Sequence, residues 1–256
     1  MFKEINIHYG AHESQYGVLR IPENSQSSQL IVLIHGGFWK AQYNLEENTA
    51  MAEDLTKRGF TTWNIEYRRV GEDRKGWTDL FNDVIDAVNH LSKIEESYPI
   101  DISNVTVIGH SAGGHLALWL GSRNEKSTND GTFHELRVCI NKVISLAGVT
   151  DLVKMWEFHE QKKMESRVAP LLGGSPKEVP ERYAWASPIE RLPMGVEQVL
   201  IHGEQDRHVP VELSDNYYQR AMEKGDKVSL VVLSEIEHFK VIDPTSSAWN
   251  SVIESI

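Results

Sequence analysis

A single cysteine, Cys139, stands in a chain of 256 residues, so no disulfide can form within it. That usage suits a reducing compartment. Cys139 adjoins the apolar run Ile140-Asn141-Lys142-Val143-Ile144 and is expected to be a small buried filler. Long apolar runs are also missing. The longest, Leu30 to Ile34, has the length of a strand and falls far short of the roughly 18 residues a membrane span needs. The first residues, Met1 to Tyr9, alternate polar and apolar and lack the apolar core of a signal peptide. A cytoplasmic location is the expectation. Basic residues are scarce, with 26 Lys and Arg against 37 Asp and Glu and a net charge of −11. Nucleic acids and anionic membrane surfaces both require basic patches, so neither is an expected partner. The overall acidity leans toward neutral or cationic small substrates.

What is present is ordinary for a globular chain: 40% hydrophobic and 25% charged residues. Strand-like and helix-like segments alternate, which predicts a mostly parallel sheet wrapped by helices. Short alternating segments near 3–9 and 16–21 suit an antiparallel edge. Strands follow at Leu30–His35, Phe60–Tyr67, Asn104–Ile108, Lys142–Leu146, Gln198–His202 and Lys227–Leu233. Helices are predicted at Asn48–Arg58, from a Thr78 cap to Ile94, after Ser111, at Val211–Lys224 and at Ser246–Ile256. Between Asp151 and Gly195 the pattern loosens. Trp156, Phe158, Met164, Leu171, Leu172, Tyr183 and Trp185 lie scattered among charges, prolines and glycines. The chain therefore reads as one domain over residues 1–256 with a cap-like insertion at 151–195. The insertion's apolar residues either roof a pocket or cover core.

Gly109-His110-Ser111-Ala112-Gly113 carries the chemistry. A serine on a sharp strand-to-helix turn exposes its hydroxyl above a helix N-terminus. It becomes a nucleophile when a histidine, oriented by a carboxylate, takes its proton. Asp206 follows one later strand and His238 the next, so the order Ser111, Asp206, His238 brings three strand ends to one rim. Glu204 shares the acid's loop and is the competing carboxylate. Glu237 is too close to His238 in sequence to face it. His202, His208, His110 and His115 are assigned to packing. His202 and His208 are the nearest approach to zinc-ligand spacing, and they do not make a set, so no metal or other cofactor is expected. The oxyanion of the intermediate needs backbone donors. Ala112 supplies one by position. The turn His35-Gly36-Gly37-Phe38-Trp39 supplies others through Gly37 and Phe38, with His35 bracing the turn. Trp39 and Trp77 are candidate pocket walls.

Together these residues resemble the α/β-hydrolase superfamily over essentially the whole chain. The turn at 35–39 with the run Gly109 to His115 is similar to the branch of esterases, lipases and kynurenine formamidases (arylformamidases), which carry an H-G-G-x-W turn. Trp63-Asn64-Ile65-Glu66-Tyr67-Arg68-Arg69 also resembles that branch. Ala186-Ser187-Pro188-Ile189 is shared with prolyl-oligopeptidase-type peptidases, whose N-terminal propeller is not expected here. Phe38 stands where formamidases commonly have tyrosine. The resemblance implies an α/β-hydrolase fold and a metal-free serine hydrolase whose triad is Ser111, Asp206 and His238. The expected substrate is a small carboxylic ester (carboxylesterase), or alternatively an aryl-formamide. A non-catalytic binding protein on the same fold is the reading from another class, and such proteins usually lose a triad residue.

Overall fold

A computed structural model describes residues 2–23, 29–124 and 131–256. Eight strands form one sheet: β1 (Phe2–His8), β2 (Tyr16–Pro22), β3 (Leu30–Ile34), β4 (Thr61–Ile65), β5 (Val105–His110), β6 (Lys142–Leu146), β7 (Glu197–Gly203) and β8 (Val228–Leu233). Their spatial order is β1-β2-β4-β3-β5-β6-β7-β8. β2 runs antiparallel to both β1 and β4, and the pairings from β4 through β8 are parallel. This is the α/β-hydrolase arrangement, antiparallel edge included.

Burial follows from strand periodicity. β3 is apolar throughout because helices cover both faces of a parallel sheet. Its Leu30, Val32 and Ile34 join one core and its Ile31 and Leu33 the other. The first core takes residues from α2 (Asp79–Asn89), α4 (Ala112–Gly121) and α8 (Val211–Lys224). The second takes residues from α1 (Thr49–Lys57) and α9 (Trp249–Glu254). Because the parallel strands all end on the same side, the loops after β3, β5, β7 and β8 gather along one rim.

Local chemistry shifts some predicted boundaries. The expected helix from Thr78 to Ile94 is two pieces, α2 and α3 (Leu91–Glu95), with His90 between them. Thr78 occupies the N-cap position but makes no side-chain cap bond. The Asp79 carboxylate instead accepts the Lys75 amide at 2.5 Å and the Gly76 amide at 3.2 Å. Cys139 is exposed, not a filler, because Val138 and Ile140 on either side turn inward and alternation sends the thiol out. The loose segment folds into α5 (Leu152–Gln161), α6 (Val168–Leu172), α7 (Pro180–Ala186) and a 3-10 turn at Pro188–Arg191. Its apolar residues serve both purposes. Leu171, Leu172 and Tyr183 are buried in the core, whereas Phe158 and Met164 line a cleft. No described helix is long and apolar enough to cross a membrane.

Candidate active site

Ser111 caps α4 in an unusual backbone state, φ 55° and ψ −117°, of a kind that persists only where surrounding structure imposes it. Three backbone bonds do so. The Ser111 amide donates to Leu146 at 2.8 Å, and its carbonyl accepts from His115 at 3.0 Å and Val149 at 3.4 Å. The flanking glycines permit the turn. A Cβ on Gly109 would lie 2.0 Å from the Gly113 carbonyl oxygen, and one on Gly113 would lie 2.0 Å from the Ile34 oxygen. Any side chain at either position would push strand and helix apart.

Asp206 and His238 meet across their loops. His238 Nδ1 donates to Asp206 Oδ2 at 2.5 Å, which leaves Nε2 for proton exchange. Asp206 is held from several sides: its Oδ1 accepts the amides of His208 at 2.8 Å and Val209 at 2.9 Å. His202 Nε2 lies 3.2 Å from Oδ2, and its Nδ1 is 2.7 Å from Ser214 Oγ. Burial alone would raise the Asp206 pKa, but the hydrogen bonds from His202 and His238 outweigh it and hold the carboxyl far below the usual range. For His238, burial dominates and, with His110 and His208 nearby, lowers its pKa to about 4 against the opposing pull of Asp206. The imidazole is therefore neutral at pH 7 and able to accept a proton. Glu204 is exposed and lines the neighbouring cleft.

His110 joins His238 to the serine. Its Nε2 donates to the His238 carbonyl at 3.0 Å, and the two rings lie 4.6 Å apart. Its Nδ1 is 3.5 Å from Glu47, whose carboxylate also accepts the Gly36 amide at 2.5 Å. Burial raises the Glu47 pKa, but His110 and the Gly36 amide override it and bring it to about 2. Glu47 thus sits between His110, at the end of β5, and the turn at 35–39. Nothing local in the sequence marks it: it lies eleven residues past Gly36 and becomes a neighbour only on folding.

The turn itself is packed against the serine, since a Cβ on Gly36 would approach Ser111 Cβ to 3.1 Å. Gly37, Phe38 and Trp39 all have positive φ, at 88°, 52° and 58°. His35 braces it, with Nε2 2.8 Å from Glu66 and Nδ1 3.0 Å from the Gly36 carbonyl, under a stacked Tyr67 ring. The Gly36 amide is consumed by Glu47. The amides of Gly37, Phe38 and Ala112 donate to no acceptor among the described residues, which leaves them available to an oxyanion.

The two tryptophans are not where pocket walls were expected. Trp39 is fully buried and donates from Nε1 to His115 Nδ1 at 3.2 Å, because the left-handed turn folds its ring inward. His115 then donates from Nε2 to the Ala186 carbonyl at 2.9 Å. Its burial lowers its pKa to about 4 despite that bond. Trp77 packs edge-on to Phe81 and Phe133 with Arg182 over its ring, in an aromatic cluster shared with Trp119. The mouth is bounded by other residues. The Phe38 ring lies 6.5 Å from His159 and 6.3 Å from His208, and Phe239 packs on His110, His208 and His238. Beside Asp206 opens a cleft of about 490 Å³ lined by Phe158, Lys162, Met164 and Arg207, among others.

Comparison with known proteins places this geometry in a family. Over 248 residues the chain is 21% identical to a probable isoprenylcysteine alpha-carbonyl methylesterase of rice (Oryza sativa subsp. japonica), a match covering 93% of this chain and 59% of that protein. Over 242 residues it is 26% identical to a kynurenine formamidase of Danio rerio, covering 93% of this chain and 75% of the relative. A truncated carbohydrate esterase from gut microbiota superposes with a TM-score of 0.82 at 22% identity, over 99% of this chain and 94% of the other. That likeness concerns the fold. The BD-FAE family model matches residues 18–220, and the chain belongs to the BD-FAE family.

Proposed function

We propose that this chain is a serine hydrolase that cleaves small carboxylic esters through an acyl-enzyme on Ser111. The observation that carries the reading is the 2.5 Å contact between His238 and Asp206, tied through His110 to a serine in a strained elbow. Ser111 Oγ attacks the ester carbonyl while His238 Nε2 takes its proton. The amides of Ala112, Gly37 and Phe38 hold the oxyanion. Collapse expels the alcohol, which receives the proton from His238. Water then attacks the acyl-enzyme with His238 again as base; the bond to Ser111 Oγ breaks, His238 returns the proton to Oγ, and the acid leaves. Asp206 stays ionised throughout and stabilises the imidazolium. The complete set of nucleophile, base, acid and donors speaks against a non-catalytic binding role.

Aryl-formamide hydrolysis is the second reading, and the match to kynurenine formamidases over 93% of this chain favours it. The same steps serve an activated amide, with an amine as leaving group. Two measurements decide. Wild type and Ser111→Ala are compared on p-nitrophenyl acetate and butyrate, where the variant should lose about 10⁴-fold or more in kcat. Equal slow rates in both proteins would reject catalysis by Ser111. N-formylkynurenine is then assayed beside the esters, and a larger kcat/KM on the formamide would make formamidase the function.

A further inference from the structure

The insertion brings two nitrogen-bearing side chains to the mouth that the hydrolytic steps do not use. His159, in the last turn of α5, is 1% exposed, and its Nδ1 has no hydrogen-bond partner. A buried polar atom left unpaired costs stability and calls for an explanation. Burial and the neighbouring Arg167 lower its pKa, so the ring is neutral near pH 7 and carries one N–H to donate. Arg167, between α5 and α6, holds its guanidinium 5.9 Å from the centre of the Phe38 ring. Among the described residues its one ionic partner is Glu165 at 3.1 Å, a side chain 77% exposed. Exposed pairs of this kind contribute little, and among the described residues only Nη1 is engaged. Most of a rigid donor fork suited to carboxylates is thus uncommitted.

Phe38 connects this pair to the reacting centre. Its amide is one of the unpaired oxyanion donors, and its ring lies 6.3 Å from His208, which is itself 5.0 Å from His238. The adjoining cleft has no comparable bias, since Lys162 and Arg207 share its lining with Glu204, Glu212 and Asp206. The cationic character is local to Arg167, with the neutral His159 beside it as a further N–H donor, in a chain whose net charge is −11.

We propose that Arg167 and His159 form a carboxylate subsite, so that the favoured substrates are esters or amides bearing a carboxylate a few carbons from the reacting carbonyl. The proposal rests on the hydrolase reading of Ser111 and narrows it. It reverses the inference from overall acidity, because a partly buried guanidinium at the mouth outweighs screened charges on the far surface.

The test uses two matched pairs, each an acid and its uncharged amide: para-carboxyphenyl acetate with para-carbamoylphenyl acetate, and monoethyl adipate with ethyl adipamate. In at least one pair the acid should exceed the amide in kcat/KM by about tenfold, the scale of one charge-assisted hydrogen bond. That ratio should fall to near one in Arg167→Gln and be partly kept in Arg167→Lys. Ratios near one in wild type, or a ratio that Arg167→Gln leaves unchanged, overturn the subsite. If turnover then still depends on Ser111, the hydrolase reading stands without it. Absence of any Ser111-dependent turnover rejects the hydrolase reading itself and the subsite with it.

Discussion

His238 sits between opposing influences, and the balance sets how the site responds to pH. Burial and two neighbouring histidines favour the neutral ring, Asp206 favours the charged one, and the result is a pKa of about 4. An imidazolium cannot accept the serine proton. Activity should therefore persist as pH falls from 7 to 5 and disappear as it passes through about 4. The acid limb of kcat/KM measures this, and a limb at the ordinary histidine value near 6.5 would contradict the burial argument. Asp206→Asn should lower kcat by about 10⁴-fold in an assay at pH 7, since an amide cannot orient the imidazole and stabilise its cation. The loop positions of Ser111, Asp206 and His238 are legible in the sequence because each follows a strand whose pattern is plain. The position of Glu47 is not, since its partners Gly36 and His110 come from two other elements, the turn after β3 and the end of β5. Trp39 was misplaced for a related reason: the direction of its ring depends on three successive positive φ values that composition does not encode.

At the scale of elements, the strand-elbow-helix unit is the most constrained part of the molecule. Gly109→Ala puts a methyl 2.0 Å from the Gly113 oxygen, and no flexible side chain is there to yield. The cost should be about 3 kcal/mol or more, or roughly 6–12 °C in Tm, read from thermal unfolding together with loss of activity. Trp39→Phe keeps the ring but leaves His115 Nδ1 unpaired in the core. It should lower stability by about 1–3 kcal/mol in denaturant melts. A stability equal to wild type would mean that the Trp39–His115 bond contributes nothing. The regular elements were legible: β6 and α8 span their predicted limits, and the antiparallel edge is present. The insertion was not, because its helices are short and interrupted by Gly173 and by Pro180 at the start of α7. Their packing on α4, through bonds such as His115 to Ala186, is a long-range matter.

For the whole molecule, the sheet explains why distant residues converge. Parallel pairing from β4 to β8 delivers the turn at 35–39, the elbow at 111, the acid loop at 206 and the histidine loop at 238 to one rim. The segment at 151–195 adds Phe158 and Met164 to the cleft beside Asp206 and brings His159 and Arg167 to the Phe38 ring. On the proposed reading, reaction type is carried by the regular sheet and substrate choice by the irregular segment at 151–195. The central claim is covalent attachment at Ser111. Rapid quenching of the protein with p-nitrophenyl butyrate, followed by peptide mass spectrometry, tests it most directly. The account predicts a butyryl group on the peptide containing Ser111, absent from Ser111→Ala. Hydrolysis that proceeds in Ser111→Ala at the wild-type rate, or a butyryl group on another residue in the productive enzyme, would contradict it.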